Sequence, residues 1–354
     1  MDYYQNNCKG EIHLHKKNRY KIGIVGAGNV TNMHLEGLKN HQDQVEVTAI
    51  CDLNPDILSL RAEAYHIPQQ FTDFQAFIED SGIDIAIVCT PSVIRKEVIL
   101  PLIEAGIAVF CEKPFAETLD VAKEITEASR KHHVPISINQ NFRTHYPFDF
   151  VKNKIRDGAI GSVSSVKFHD FHFRQDQGWR TQCERNSLSV MGVHWLDGFR
   201  WILESEAKSL VCQTYSSKAV ECVGDTDASV QILFQNGVTV SYSQSLSSAF
   251  SRTELIVVGE TGTLVAGYND VALYKKGIKD PVEVWQSSTG GQKKKPESAY
   301  KGIRQLIHSI ETNVSALNSC EDNLKTISLL EACYRSAKDQ TIIYFDSDGH
   351  LQKD

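Results

Sequence analysis

Gly26-Ala27-Gly28 ends an apolar run, 21–26 (KIGIVG), and opens a helix-type pattern near 30–40. Glycines at such a turn permit a tight bend and let the main chain approach a pyrophosphate. The amides of a helix start, here Asn29 and Val30, then hold its charge. Asp52 stands 52 − 28 = 24 residues beyond Gly28, at the end of the next apolar run, 45–51. That is near the ~20-residue spacing of a carboxylate that accepts from adenosine ribose hydroxyls. The third glycine position of the fingerprint is Thr31, and Asp52 is followed by Leu53 and Asn54. No arginine or serine follows to receive a 2′-phosphate, so NAD is the expected cofactor rather than NADP.

Two further segments fall where a parallel sheet places its ligand crevice, at carboxyl ends of strands. They are Thr90-Pro91, after 84–89, and Glu112-Lys113-Pro114, after 108–111. A lone lysine is ordinarily a solvated surface residue, but one set between glutamate and proline at a strand end is a site candidate. His194, in Gly192-Val193-His194-Trp195-Leu196-Asp197, has the right chemistry for proton transfer near neutrality. Taken alone, it is equally a core histidine on an amphipathic helix beside Met191 and Trp195.

These residues need a scaffold. Strand patterns at 21–26, 45–51, 84–89, 108–111 and 134–139 alternate with helix patterns near 30–40, 54–65, 73–80, 93–105 and 118–132. Nearly continuous apolar strand cores and this alternation predict a doubly wound parallel sheet, an α/β nucleotide-binding domain over 20–142. Residues 143–354 read as an α+β domain with a mostly antiparallel, open-faced sheet, whose closing helices can pack back on the first domain. After a helix pattern near 146–157 come a long strand, 162–174, a polar loop, 175–187, and a helix over 188–203. Strands follow at 208–215, 227–234, 237–246, 252–258, 263–266, 271–275 and 282–286, with a hairpin expected at Asn236-Gly237. Two helices, 299–313 and 322–338, precede a last strand, 341–345.

Composition bounds the function. The 37 basic and 44 acidic side chains give a net charge of −7, against non-specific binding to nucleic acid or anionic membrane. No stretch approaches the ~20 apolar residues of a membrane span, and residues 1–19 carry no secretory apolar run, so a flexible arm and a cytoplasmic protein are expected. Nine scattered cysteines without a C-x-x-C pair encode neither a disulfide framework nor a zinc ribbon. His13-x-His15 lacks a third ligand, and no metal site is expected. The glycine- and lysine-bearing stretch 287–298 reads as a solvated loop.

On Gly26-Ala27-Gly28 with Asp52, Thr90-Pro91, the block from Ala105-Gly106 to Cys111-Glu112-Lys113-Pro114, and Gly192 to Asp197, the chain resembles the glucose–fructose oxidoreductase / inositol dehydrogenase / MocA family. The likeness runs from about residue 20 to the C-terminus. It implies an NAD(P)-dependent oxidoreductase acting on sugars, polyols or their derivatives, assembled as a homodimer or homotetramer through the open sheet face. It implies a cis Lys113–Pro114 peptide, with Lys113 and His194 as catalytic pair: the lysine polarising the reacting oxygen, the histidine shuttling its proton. It places Arg143 at a substrate position. His172 and Arg174 share one strand face, and Trp179 with Arg180 suits a sugar ring, so His172, Trp179, Arg180, Asp197 and His194 join the expected substrate set.

The likeness has departures. Relatives of the dehydrogenase type carry an acid four residues before the histidine, and here that residue is Val190. Asp170, Asp176 and Asp197 are the candidate replacements, with an arginine-binding or histidine-orienting role favoured for Asp197. His34, and Arg95, where many relatives have histidine, look secondary. The altered acid set motivates one alternative, a redox-neutral sugar-converting enzyme with tightly bound NAD; a second, a non-catalytic nucleotide-binding sensor, is opposed by the presence of both Lys113 and His194.

Overall fold

The computed structural model describes residues 17–287 and 295–352. The expected arm up to residue 16, with Cys8, His13 and His15, and the loop residues 288–294 lie outside the described residues. The described residues form two compact units, one within 1–139 with 299–320 and the other within 140–298 with 321–354.

In unit 1 the order is β1 (Tyr20–Val25), α1 (Asn29–Lys39), β2 (Val45–Cys51), α2 (Pro55–Tyr65), β3 (Gln69–Phe71), α3 (Phe74–Asp80) and β4 (Ile85–Val88). There follow α4 (Arg95–Glu104), β5 (Ala108–Cys111), α5 (Leu119–His132) and β6 (Ile136–Ile138). All strand pairs are parallel, in the order β3-β2-β1-β4-β5-β6. This is the expected doubly wound sheet, and its topological switch point lies between β1 and β4. Every residue of β4 and β5 is buried, because helices cover both faces. The expected strands agree within about two residues at each end. β3 was not foreseen: Gln-Gln-Phe is three residues long and has no apolar alternation to reveal it.

Unit 2 runs α6 (Phe148–Arg156), β7 (Val163–Phe173), α7 (Val193–Leu203), β8 (Ala207–Tyr215), β9 (Asp227–Phe234), β10 (Thr239–Ser245), β11 (Ser247–Gly259), β12 (Gly262–Ala266), β13 (Asp270–Lys275) and β14 (Glu283–Gln286). The helices α8 (Lys295–Thr312) and α9 (Cys320–Asp339) and the strand β15 (Ile343–Tyr344) close the chain. The nine strands lie in the order β14-β13-β12-β11-β7-β10-β9-β8-β15. Only β7 and β10 pair in parallel, and the expected turn at Asn236-Gly237 joins antiparallel β9 and β10, with Gly237 at φ 84°. Alternate residues, such as Val166 and Phe168, Val230 and Ile232, and Val240 and Tyr242, face a core shared with Phe148, Val193, Trp195 and Phe199. The other face leaves Val211 and Tyr215 exposed.

The helix expected over 188–203 is two pieces, since Leu188–Gly192 is wound as a π turn before α7. The stretch 299–320, assigned from sequence to the second domain, belongs to unit 1. There α8 buries Tyr300, Ile303, Leu306 and Ile307 among Ile24, Ile87 and Phe110. Gly302 makes this close approach possible, because a Cβ there would stand 2.8 Å from the Phe110 ring. Gly302→Ala is therefore expected to lower the unfolding free energy by about 1–3 kcal/mol. Urea titration checks this, and an unchanged midpoint would mean that α8 is not docked so closely.

Candidate active site

In unit 1 the expected cofactor residues gather at the carboxyl ends of β1, β2, β4 and β5. Gly26 has φ 97°, and a Cβ on it would meet the Cys89 carbonyl carbon at 3.1 Å and the Thr90 nitrogen at 3.2 Å. Glycine is thus required by conformation and by space. Gly28 has nothing within 4 Å of its Cβ position, the open side of the turn. Thr31 fills the third glycine's place: it is buried, and its hydroxyl donates to the Gly26 carbonyl at 2.6 Å. Asp52 accepts from the Ala27 amide at 2.6 Å and the Asn54 amide at 2.8 Å. Its carboxylate is thereby held beside the glycine turn, and further lone pairs suit ribose hydroxyls. No side chain caps α1, and its first turn, with Asn29 and Val30, contains no acid. The Thr90 hydroxyl is buried and lacks a partner among the described residues. An uncapped helix start, an open glycine, an anchored carboxylate and an orphaned hydroxyl fit a dinucleotide.

The block after β5 is held more tightly than its sequence suggests. Glu112 is buried, and one carboxylate oxygen receives both His34 Nε2 at 2.8 Å and Asn139 Nδ2 at 2.7 Å. His34 comes from α1 and Asn139 follows β6, so the carboxylate ties three elements together. Burial acting alone would lower the His34 pKa, but the Cys89 sulfur and the Glu112 carboxylate facing the ring raise it to about 10. Burial would likewise raise Glu112, but His34, Lys113 and Asn139 bring it down to about 2. His34, expected to be secondary, is a structural partner of the site. Its sequence signal was a polar pair, Thr31 and His34, on the buried face of α1. Lys113 follows Glu112 directly and is half-buried, and the Lys113–Pro114 peptide is cis, as the resemblance implies.

Unit 2 contains the expected substrate residues and His194. His194 is buried on the first turn of α7, its ring 4.6 Å from that of Phe142. The neighbouring Trp195 donates its indole N–H to Asp170 at 3.1 Å, and Asp170 also accepts from the Thr253 hydroxyl at 2.6 Å. His172 lies 3.6 Å from the same carboxylate. Arg143 is buried and bidentate to Asp197, at 2.7 and 2.6 Å, and reaches Asp322 at 2.6 Å. Asp197 accepts in addition from the Thr326 hydroxyl at 2.8 Å. The arginine-binding role favoured for Asp197 is the one observed, and Arg143, expected to meet substrate, commits its guanidinium to carboxylates of its own unit. Asp176 receives Arg174 at 2.9 Å and lies 3.7 Å from Arg180. Each candidate replacement for the acid absent at Val190 is thus engaged with other side chains. Trp179 remains 48% exposed, with the Arg180 guanidinium 5.5 Å from its ring.

Asp225 was not singled out from sequence, yet it organises the start of this helix. It is buried and accepts from the Asn186 amide (2.8 Å), the Ser187 hydroxyl (2.6 Å), the Leu188 amide (3.0 Å) and the Tyr334 hydroxyl (3.0 Å). These bonds cap the π turn that leads into His194. An isolated aspartate between glycine and threonine gives no pattern by which to recognise this. Among the described residues no cluster of three or more His, Cys, Asp or Glu is placed to hold a metal, and no helix is long and apolar enough to cross a membrane.

A parallel sheet with a dinucleotide-type turn at its switch point, followed by an open-faced α+β unit, defines an NAD-binding oxidoreductase class. Residues 20–140 match the oxidoreductase family with NAD-binding Rossmann fold, and residues 148–265 match the GFO/IDH/MocA C-terminal domain. The chain belongs to the GFO/IDH/MocA family. It is 27% identical over 341 residues to D-apiose dehydrogenase of Paraburkholderia graminis, covering 91% of this chain and 88% of that protein. It is 25% identical over 340 residues to inositol 2-dehydrogenase of Rhizobium meliloti, covering 90% and 97%. The fold matches an oxidoreductase from Agrobacterium radiobacter, solved with NAD+, L-tartaric acid and magnesium, at a TM-score of 0.83 and 23% identity, over 92% of this chain and 98% of that one.

The His34–Glu112 pair makes stability pH-dependent. His34 has a folded pKa above its unfolded value of about 6.5, so its contribution is complete below that pH and is lost as pH rises toward about 10. Glu112 has a folded pKa below its unfolded value of about 4.5, so its contribution is complete above that pH and is lost as pH falls toward about 2. Replacing Glu112 by Gln leaves a buried imidazole without its counter-ion and is expected to cost about 3 kcal/mol. Urea titrations across pH are expected to show the largest loss between about 4.5 and 6.5, shrinking on both sides. A loss independent of pH would mean that the pair is not ionised.

Proposed function

We propose that this protein is an NAD-dependent dehydrogenase that interconverts a secondary hydroxyl and a ketone on a sugar, polyol or sugar derivative. The observation that carries this reading is the anchored Glu112-Lys113-Pro114 turn at the end of β5, in the same unit as the glycine turn and Asp52. The substrate class is supported by relatives named for D-apiose and inositol, each aligned over about nine-tenths of the chain. NAD, when bound, supplies the hydride acceptor. Lys113 donates a hydrogen bond from its ammonium group to the reacting oxygen and stabilises charge as an alkoxide develops. His194 takes the hydroxyl proton and returns it in the reverse direction. Asp170, Asp176 and Asp197 are engaged with other side chains, and position 190 is a valine rather than an acid. Trp179 and Arg180 contribute an exposed aromatic face and a cation suited to a sugar ring, and His172 is assigned to the same substrate set. Arg143 and Asp197 act as a buried brace for α7.

Free thiols at all eight cysteines of the described residues suit a reducing, cytoplasmic compartment. The exposed sheet face bearing Val211 and Tyr215 suits a homodimer or homotetramer. Vacancy of the Val190 acid position also keeps the redox-neutral alternative in view. In that case the purified protein contains nucleotide and converts substrate without net NADH.

A spectrophotometric screen of pentoses, inositols, sugar acids and polyols with NAD and NADP tests the reading. Lys113→Ala and His194→Ala are each expected to lower kcat by about 10²–10⁴-fold. NADH affinity, read by fluorescence, is expected to stay within a few-fold of the parent protein. Near-parental turnover in both variants would sink the assignment.

A further inference from the structure

Arg95, the first residue of α4, is 4% exposed, and its guanidinium meets only main-chain carbonyls among the described residues. Nε and Nη2 donate to the Thr90 carbonyl at 3.1 and 2.8 Å. Nη1 donates to the carbonyls of Glu112 and Pro114. The acceptors therefore come from the segment after β4 and from both neighbours of Lys113.

A guanidinium is suited to this task because its donors are fixed in one plane and point in several directions at once. An ammonium is a single point with three donors, and an imidazole has two ring nitrogens facing apart. No carboxylate stands within ion-pair distance of Arg95 among the described residues, so the cation is compensated by the oriented dipoles of three carbonyls. Such an arrangement is costly to bury unless the carbonyls are held in register, which makes the fork and the two segments mutually dependent.

The remaining attachments of the block complete the case. The Glu112 amide donates to the Val88 carbonyl at 3.0 Å, and the Glu112 carboxylate is taken by His34 and Asn139. These hold the residue before Lys113 but not the residue after it. Of these contacts, the Arg95 bond to Pro114 is the one that reaches the far side of the lysine.

We propose that Arg95 is a positioning residue for Lys113, fixing the main chain on both sides of the lysine to the end of β4 so that its ammonium is presented in one place. The proposal rests on the assignment of Lys113 as the oxygen-polarising group, and its test is therefore read first without turnover.

The variants are Arg95→Lys, which keeps the charge and loses the fork, and Arg95→Gln, which keeps a planar donor and loses the charge. Trace acetylation with N-hydroxysuccinimidyl acetate, followed by peptide mass spectrometry, reports the reactivity of Lys113 against every other lysine. Hydrogen exchange reports the amides of 112–116. In Arg95→Lys the labelling rate of Lys113 is expected to change at least about threefold, and exchange over 112–116 to rise at least about tenfold. The other lysines, the exchange of β7 in unit 2 and the NADH dissociation constant are expected to stay within about threefold. With a substrate found in the screen, kcat falls about tenfold or more at nearly unchanged NADH affinity. Unchanged Lys113 labelling and unchanged exchange over 112–116 in a folded variant would overturn the proposal. A uniform rise in exchange throughout unit 1 would also overturn it, since Arg95 would then be a general stability residue. Should Arg95→Lys fail to fold, Arg95→Gln is read by the same criteria, and failure of both to fold likewise assigns Arg95 to general stability. A wild-type protein that turns over no sugar refutes the dehydrogenase reading, whereas the labelling and exchange results still decide the role of Arg95.

Discussion

A carboxylate removed from water must be paired, and Glu112 is the point at which this requirement shapes unit 1. Its single oxygen shared by His34 and Asn139 links the helix that starts at the glycine turn, the end of β5 and the end of β6. If that oxygen lost its partners, a buried anion would remain beside an apolar sheet, at a cost of several kcal/mol. The surrounding elements are therefore constrained to meet at the same end of the sheet. That end is where a doubly wound sheet presents its loops to a ligand. The two neighbours of Lys113 in the chain are thus held at that end, Glu112 by His34 and Asn139 and Pro114 by Arg95.

Unit 2 solves a similar problem by different means. The helix bearing His194 begins with a π turn, which leaves its first amides without the usual partners. Asp225 gathers the first of those amides, Leu188, with the Asn186 amide and Ser187 hydroxyl just before it, and Tyr334 braces the same carboxylate from α9. Farther along α7, Asp197 is locked by Arg143 and Thr326. His194 lies between these two anchors, which restrict movement along the helix axis.

What was legible in the chain was whatever depends on local pattern. Apolar runs of four to seven residues placed the inner strands of unit 1, because both faces of a parallel sheet are covered. The placing of Gly26 and Asp52 side by side was legible because a glycine turn and an acid at the next strand's end stand at a particular separation. β3 escaped because two of its three residues are glutamines, and only its pairing with β2 makes it a strand. Asp225 escaped altogether, and His34 and Arg95 were read only as secondary, for a deeper reason. Each acts through partners tens of residues or more away in sequence, or through main-chain carbonyls, which no sequence displays. Arg143 was legible as a charged residue in a telling place, but its contacts with Asp197 and Asp322 are made by tertiary structure alone.

The allocation of α8 to unit 1 has a consequence for how the protein comes into being. Tyr300, Ile303 and Leu306 complete a core begun by Ile22 and Ile24, nearly three hundred residues earlier. During synthesis the nucleotide-binding unit emerges first, but its apolar surface near Phe110 stays uncovered until α8 has left the ribosome. Unit 2 through β14 is synthesised in that interval. The first unit must therefore persist for a time as an incomplete body with a sticky face, a state exposed to chaperones and to misassociation. The same arrangement means that neither unit is a contiguous cassette, so recombination within this family must exchange both segments of a unit together or leave a core half built.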